Sequence, residues 1–333
     1  MPRVSVIVPV YRVEKYIERC AISLFEQTMD GIEYIFVDDC TPDKSIDILK
    51  LTIEKYELRF AEGKNTVRIV RMPTNSGLPA VRRHGIQLAT GDYIIHCDSD
   101  DWVDTDMFRL LYEKAASENA DVVFCDFCRT DGTTNDQVKE VFPTDKKNLT
   151  TYILTKKSNS SLCNKLIRRS VYDNANILFP QYNNLEDWTI LSQLSLFIDK
   201  FAIVPKPLYF YYQNADSITG NVDVENLKRR FNDSCENIKL VESYFQRNSV
   251  LEKYSNEFDR IRIIEQILFV DNMGEPGIYR LWKSLSKELK TAPMFNPYLT
   301  LRDKIRYYVM YFRLYPLVKR IYDSFRNHSS LQR

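Results

Sequence analysis

GDYIIHCDSDDW, residues 91–102, joins a short apolar run, Tyr93–Cys97, directly to three carboxylates, Asp98, Asp100 and Asp101. Five such residues bounded by Thr90–Gly91 and by acids fit a strand buried on both faces. Carboxylates cannot follow that strand into the core, because an unpaired buried charge costs several kcal/mol or more. They must sit where the strand leaves the sheet, which in an open α/β sheet is where ligands bind. Acids this close repel one another, so the arrangement calls for a cation, and oxygen-only ligands favour Mg2+ or Mn2+. Such ions take substrate phosphates as further ligands, which points to a metal-dependent phosphate-ester or nucleotide site. A solvated acidic turn, with Asp104 capping the next helix, explains the same stretch equally well.

The preceding chain alternates strand and helix. Val4–Val8 is β-branched and unalternating, and Pro9 is expected to stop it. Val13–Gln27 carries Ile17, Cys20, Ala21 and Leu24 at helical spacing. Ile32–Val37 is a second strand, again tipped by acids, Asp38 and Asp39. Thr41-Pro42-Asp43 then supplies an N-cap and a first-turn proline for a helix bearing Ile46, Leu49 and Ile53. Thr66–Val70 is a third strand, Asn75–Gly77 a turn, and Leu78–Ala89 a helix leading into the acid-tipped strand. This is the pattern of βαβ units and a parallel sheet. Right-handed crossovers place the strand ends on one edge, so Asp38, Asp39, Asp98 and Asp100 are expected to face one crevice.

Further on, Val103–Ser117 reads as a helix and Asp121–Phe127 as a strand, while Arg129–Asn148 is polar and suits a hairpin or mobile loop. SLCNKLIRR (Ser161–Arg169), a helix within Asn184–Leu196 and a proline-containing strand, Phe201–Tyr212, follow. Beyond about residue 222 the text is helical, over Val224–Gln246, Glu252–Val270 and Gly277–Leu289. A boundary is therefore expected near residue 220, giving an α/β domain, 1–220, and a helical region, 221–333.

The 333 residues, 44% hydrophobic and 27% charged, are those of an ordinary globular protein, and a net charge of +1 gives no reason to expect nucleic acid. Seven scattered cysteines, with Cys125 and Cys128 lacking a second pair, indicate neither zinc nor a disulfide framework; a reduced cytoplasmic compartment is the simpler expectation. The apolar start is interrupted by Pro9 and is not a signal peptide. No run of about 18 apolar residues exists to span a membrane.

With these pieces side by side, the chain resembles a family-2 glycosyltransferase of the GT-A fold, of the bacterial surface-polysaccharide type. The matching stretches run from Val4 to Thr219: VSVIVPVYRVEKYIERCAISLFEQT, VDDCTPD (Val37–Asp43), NSGLPAVRRHG (Asn75–Gly85), DSDD (Asp98–Asp101), NKL (Asn164–Leu166), EDW (Glu186–Trp188) and PLYFYYQNADSIT (Pro207–Thr219). Their order and spacing carry the resemblance; each alone is weak. It implies a mostly parallel central sheet flanked by helices, with a helical C-terminal extension. It also implies an inverting, metal-dependent transferase that moves a hexosyl or N-acetylhexosaminyl group from a UDP-sugar to a hydroxyl of a glycan or lipid-linked saccharide.

Carried over residue by residue, the resemblance puts Pro9, Tyr11 and Asp38 at the nucleotide, with Asp39 accepting from the uracil imide. Arg82 touches base or diphosphate, and Asp98-Ser99-Asp100 is the D-x-D motif. Asp100 binds Mn2+ or Mg2+, with Asp98 at the ribose or the metal. Asp101, Asn164, Lys165 and Trp188 fall near sugar or acceptor. Asp187, beside Glu186, is the expected general base. The chemistry suits this division: a divalent cation stabilises a departing diphosphate, while an attacking hydroxyl needs a base within hydrogen-bond reach. Read without the resemblance, Glu186 and Asp187 are ordinary first-turn acids and Lys165 a surface lysine. His84 and His96 read as structural.

Two positions depart from the family pattern: Arg83, where asparagine is common, and Tyr212, where an arginine is common. Arg83, Lys165 or a residue of 214–220 is then expected to replace the missing cation. A sugar nucleotidyltransferase would want a glycine-rich loop after the first strand, which is absent. A nucleotide-sugar-binding protein without activity remains open through Tyr212, although the DSD and ED pairs speak against it.

Pro297–Asn327 (PYLTLRDKIRYYVMYFRLYPLVKRIYDSFRN) interleaves seven Arg or Lys with many aromatics against two Asp. It reads as a basic amphipathic helix at a membrane interface, placing the protein at the inner face of the membrane. It reads equally as a helix packed on protein with snorkelling arginines, kinked at Pro316.

Overall fold

A computed structural model describes residues 2–213, 224–267 and 278–315. The chain divides into two compact units, Met1–Ile153 with Lys157–Gly220, and Leu154–Lys156 with Asn221–Arg333.

The first unit opens with β1 (Val4–Val10), α1 (Ile17–Phe25), β2 (Ile32–Asp38), α2 (Ser45–Lys55), α3 (Glu57–Ala61), β3 (Thr66–Arg71), α4 (Leu78–Leu88) and β4 (Tyr93–His96). Then come β5 (Trp102–Val103), α5 (Met107–Glu118), β6 (Val122–Thr130), β7 (Asn135–Val138), α6 (Leu149–Leu154), β8 (Lys165–Arg168), α7 (Arg169–Ala175), α8 (Glu186–Leu194) and β9 (Phe201–Tyr212). Among the described residues the strands form one sheet in the order β3-β2-β1-β4-β8-β6-β9-β5, with β7 paired to β6.

The first four strands are parallel, as their unbroken apolar runs require. Beyond β4 the sheet is mixed: β8 runs antiparallel to both β4 and β6, and β5 antiparallel to β9, while β6 and β9 are parallel. "Mostly parallel" thus describes the first half only. Arg129–Asn148 is partly a hairpin, turned by Asp131, whose Oδ1 accepts from the Thr133 and Thr134 amides. Apolar side chains of α1, α2 and α5 cover one face, and those of α7 and α8 the other.

Pro9 does not stop β1, which continues to Val10 in register with Asp38 of β2. The reason lies on the other edge. Cys97 N donates to Ile7 O, the last bond to β4, and two residues later that edge carries Pro9, which has no amide to offer. The two strands part there, at their carboxyl ends. Gly85 keeps α4 close behind, since a Cβ at that position would lie 2.4 Å from Ile7 Cγ2.

The second unit is helical: α9 (Val224–Arg247), α10 (Ser255–Ile267), α11 (Ile278–Ser286) and α12 (Leu301–Tyr311). Phe245 packs edge-on against Tyr254 and Phe258. A second cluster gathers Ile263, Trp282, Leu299, Tyr307 and Met310. The helix expected from Pro297 starts at Leu301, where Thr300 and Asp303 form a reciprocal capping box. Residues 316–327 of that expectation lie outside the described residues, as does the Ala215–Gly220 turn. No described helix is long and apolar enough to cross a membrane.

Candidate active site

Where β1 and β4 part, Asp98 leaves β4 and meets a buried cation, Arg82 of α4, which is 1% exposed. Its Nη2 donates to Asp98 Oδ1 at 3.0 Å and its Nε to Glu186 Oε1 at 2.9 Å. The same Nη2 lies 3.3 Å from Asp187 Oδ1. One guanidinium therefore ties the end of the central strand to the first turn of α8. Leu185 makes this possible by taking a left-handed φ of 64°, which swings the chain into that helix. Such strain in a bulky residue collects at functional sites. Arg12 and Cys40, which follow Tyr11 and Asp39, also have positive φ.

The cluster is short of positive charge, with three carboxylates around one arginine. Among the described residues Arg82 Nη1 and Glu186 Oε2 have no hydrogen-bond partner, and Asp187 Oδ1 has the 3.3 Å ion pair with Nη2. Burial raises the pKa of Asp187 and of its neighbour Glu186, and Arg82 opposes the rise. Asp187 keeps 23% of its side chain exposed, whereas Glu186 keeps 5%. Of the two, Asp187 is the one an incoming molecule can reach.

Asp98–Asp101 is a tight turn, closed by Asp101 N donating to Asp98 O. Burial, and then the charge of Asp98, push Asp100 up to about 6. A carboxylate destabilised in this way beside a second one, with oxygen donors only, fits a hard divalent cation. Among the described residues no three His, Cys, Asp or Glu side chains are gathered to hold a metal. The remaining ligands would have to come from a bound substrate.

The residues most directly comparable with known proteins lie in this unit. The model of the family described as "Glycosyl transferase family 2" matches residues 5–175, more than half of the 333-residue chain. The chain belongs to that family. Among its relatives, the "Putative glycosyltransferase EpsH" of Bacillus subtilis (strain 168) is 29% identical over 293 residues, 85% of this chain and 81% of its own. The fold is shared with Staphylococcus aureus TarS in complex with UDP-GlcNAc, at TM-score 0.56 and 19% identity, covering 85% of this chain and 86% of that one. It is shared too with the mannosyltransferase PcManGT of Pyrobaculum calidifontis in complex with GDP-Man and Mn2+, at TM-score 0.53 and 16% identity, over 97% and 88% of the two chains.

In this glycosyltransferase several expected site residues are already engaged by the protein. Asp38 Oδ1 accepts from Thr41 N, and Asp39 accepts from the amides of Ser76 and Gly77 at 2.7 and 2.9 Å. Both acids therefore hold their own turns and do not join Asp98 and Asp100 around one cation. Gly77 has φ 82° and sits so close to Asn183 that a Cβ would lie 3.3 Å from its Oδ1. Asp101, 1% exposed, accepts from Tyr209 OH and from Tyr212 N. It anchors the turn to β9 and is not open to a sugar.

Asn164 donates to Cys125 O and Glu140 Oε2, while Lys165 donates to Ser161 O and Asn164 Oδ1. Lys165 is 0% exposed, so it is neither a surface lysine nor a substitute for a phosphate-binding cation. Trp188 and Ser99 are buried. Pro9 is half-buried at the strand parting, and Tyr11 is 39% exposed. Arg82, enclosed by acids, meets no open surface. His96 is buried, with its pKa depressed by desolvation and by Arg82, and is a neutral core imidazole.

The cation beside Tyr212 is one the sequence reading missed. Arg19 of α1 places its guanidinium 3.8 Å from the ring centre of Trp102 and 4.6 Å from that of Tyr212. Its Nη2 donates to the carbonyl of Asp100 at 2.7 Å. Arg83 instead lies exposed, over Phe179. No local signal marks Arg19, which stands among core positions of an ordinary helix. Only the pairing of Trp102 with Phe210, which brings β5 beside β9, assembles its aromatic walls.

Proposed function

We propose that this glycosyltransferase is an inverting, metal-dependent enzyme that moves a sugar from a UDP-sugar to a hydroxyl of a glycan or lipid-linked saccharide, in polysaccharide biosynthesis. The observation that carries the reading is Arg82 holding Asp98 and the Glu186–Asp187 pair on one guanidinium. It supports a reading in which Asp187, partly exposed, acts as a base beside the turn that would meet the donor's diphosphate.

Asp187 takes the proton from the acceptor hydroxyl as it attacks the anomeric carbon from the face opposite the leaving group. Its raised pKa brings it toward the range in which a base can both be ionised and accept a proton. Glu186 and Arg82 hold Asp187 in place; Arg82 reaches the substrate only through these acids. Tyr11 and Pro9 line the nucleotide pocket, and Asp39 shapes it by fixing the Ser76–Gly77 turn. Asp98 and Asp100 would hold Mn2+ or Mg2+, which when bound offsets charge developing on the departing diphosphate. Tyr209 and Arg19 keep that turn in shape, through Asp98 N, Asp101 and the Asp100 carbonyl. Seven free thiols suit a reducing, cytoplasmic setting.

Nucleotide release from a panel of UDP- and GDP-sugars, with Mn2+, with Mg2+ and with a chelator, tests the reading. Release from one UDP-sugar that the chelator abolishes is expected. Preference for a GDP-sugar, or turnover untouched by chelation, would overturn the donor or the metal assignment respectively.

A further inference from the structure

The helix α12 has two faces of opposite habit. On one, Tyr307 and Met310 are buried with Trp282 and Ile263. On the other, Leu301 is 73%, Ile305 55% and Phe312 62% exposed. At about 100° per residue these three and Tyr308 fall within a sector of about 60°, and Tyr308 stacks on Phe312. Arg302 lies on one flank of this stripe and Lys304 on the other, with half-buried Arg306 further round toward Met310. The Lys304 ammonium donates to Met294 O, which brings in Met294 and Phe295, 52% and 78% exposed. Asp303, the one acid between Leu301 and Phe312, is committed to the capping box.

We infer that this face of α12 is a docking surface for an anionic lipid bilayer. Exposed apolar side chains in a row, edged by cations on both sides, match the interface of a bilayer, where tails accept the stripe and anionic headgroups accept the flanks. A second copy of the chain is the poorer occupant, because a two-fold axis through this patch would bring like cations together. An α-helix of this length spans only about 16 Å, about half of a bilayer's hydrocarbon core, so it lies on the membrane. The inference does not rest on the donor chemistry.

The full chain, floated with vesicles of phosphatidylcholine alone or mixed with phosphatidylglycerol, tests it. Binding to the mixed vesicles that salt weakens is expected. Arg302→Glu should lower it about tenfold, and Ile305→Glu with Phe312→Glu likewise. Arg302, Ile305 and Phe312 are exposed, so nucleotide release in solution and far-UV circular dichroism should stay unchanged and serve as the folding control. Binding to neither vesicle would overturn the inference, as would anionic binding indifferent to both variants. A dimer in light scattering that Ile305→Glu dissolves would also overturn it, making the face an interface between copies.

Discussion

Arg82 and Lys165 are both cations sealed inside the same unit, 1% and 0% exposed, and both meet carboxylates. Lys165 is satisfied: Ser161 O and Asn164 Oδ1 accept from it, Glu140 lies 3.7 Å away, and Asn164 links the same glutamate to β6. Around Arg82, among the described residues, Nη1 and Glu186 Oε2 are left over, and three carboxylates share the one guanidinium. Burial alone therefore does not separate scaffold from site. Completeness distinguishes these two cations: the Lys165 network is finished and rigidifies, while the Arg82 cluster has polar atoms to spare.

The contrast can be broken most severely at Asp187. Asp187→Asn should lower kcat by about 10²–10⁴-fold with donor KM nearly unchanged, and unchanged kcat would remove it as the base. Its pH profile sharpens the point. A carboxyl whose pKa is raised stays protonated to higher pH, so kcat should fall as pH drops through a value above the ordinary aspartate range of about 4. An acid limb at or below that range would contradict the geometry.

Lys165→Met should act on stability, costing about 3–5 kcal/mol by stranding Glu140, with donor KM of the folded protein unaltered. A kinetic defect at full stability would place Lys165 at the substrate after all. Arg82→Lys should do the reverse. A single ammonium cannot fork to three acids, so kcat should fall roughly tenfold to a hundredfold with a smaller shift in Tm. The mildest effect is expected at Arg19. Arg19→Ala removes a cation–π contact of about 0.5–2 kcal/mol, read as a several-fold rise in the Mn2+ concentration needed for half-maximal release; no change in that concentration would dismiss it as a positioning residue.

Much of this was readable in the chain itself. Apolar runs ending in Asp38 and Asp98 announced parallel strands with acids at one edge, because burial on both faces leaves charge nowhere else to go. The partner of each acid was not readable. Asp39 and Asp101 look like Asp98 in sequence, yet backbone amides and Tyr209 claim them, and those partners lie 37 and 108 residues away. The mixed half of the sheet was equally hidden. Trp102–Val103 is too short to show a period, and Lys165–Arg168 takes its direction from the strands it enters between.

Pro9 has a consequence of another kind. Because its ring removes the N–H that would bond the Cys97 carbonyl next, one break at that edge is written into covalent structure. It does not depend on a ligand to prise it open, and thermal breathing cannot zip it shut. Were a nucleotide to bind there, as proposed above, it would meet strands that have already parted, and the cost of separating them would have been met when the chain folded.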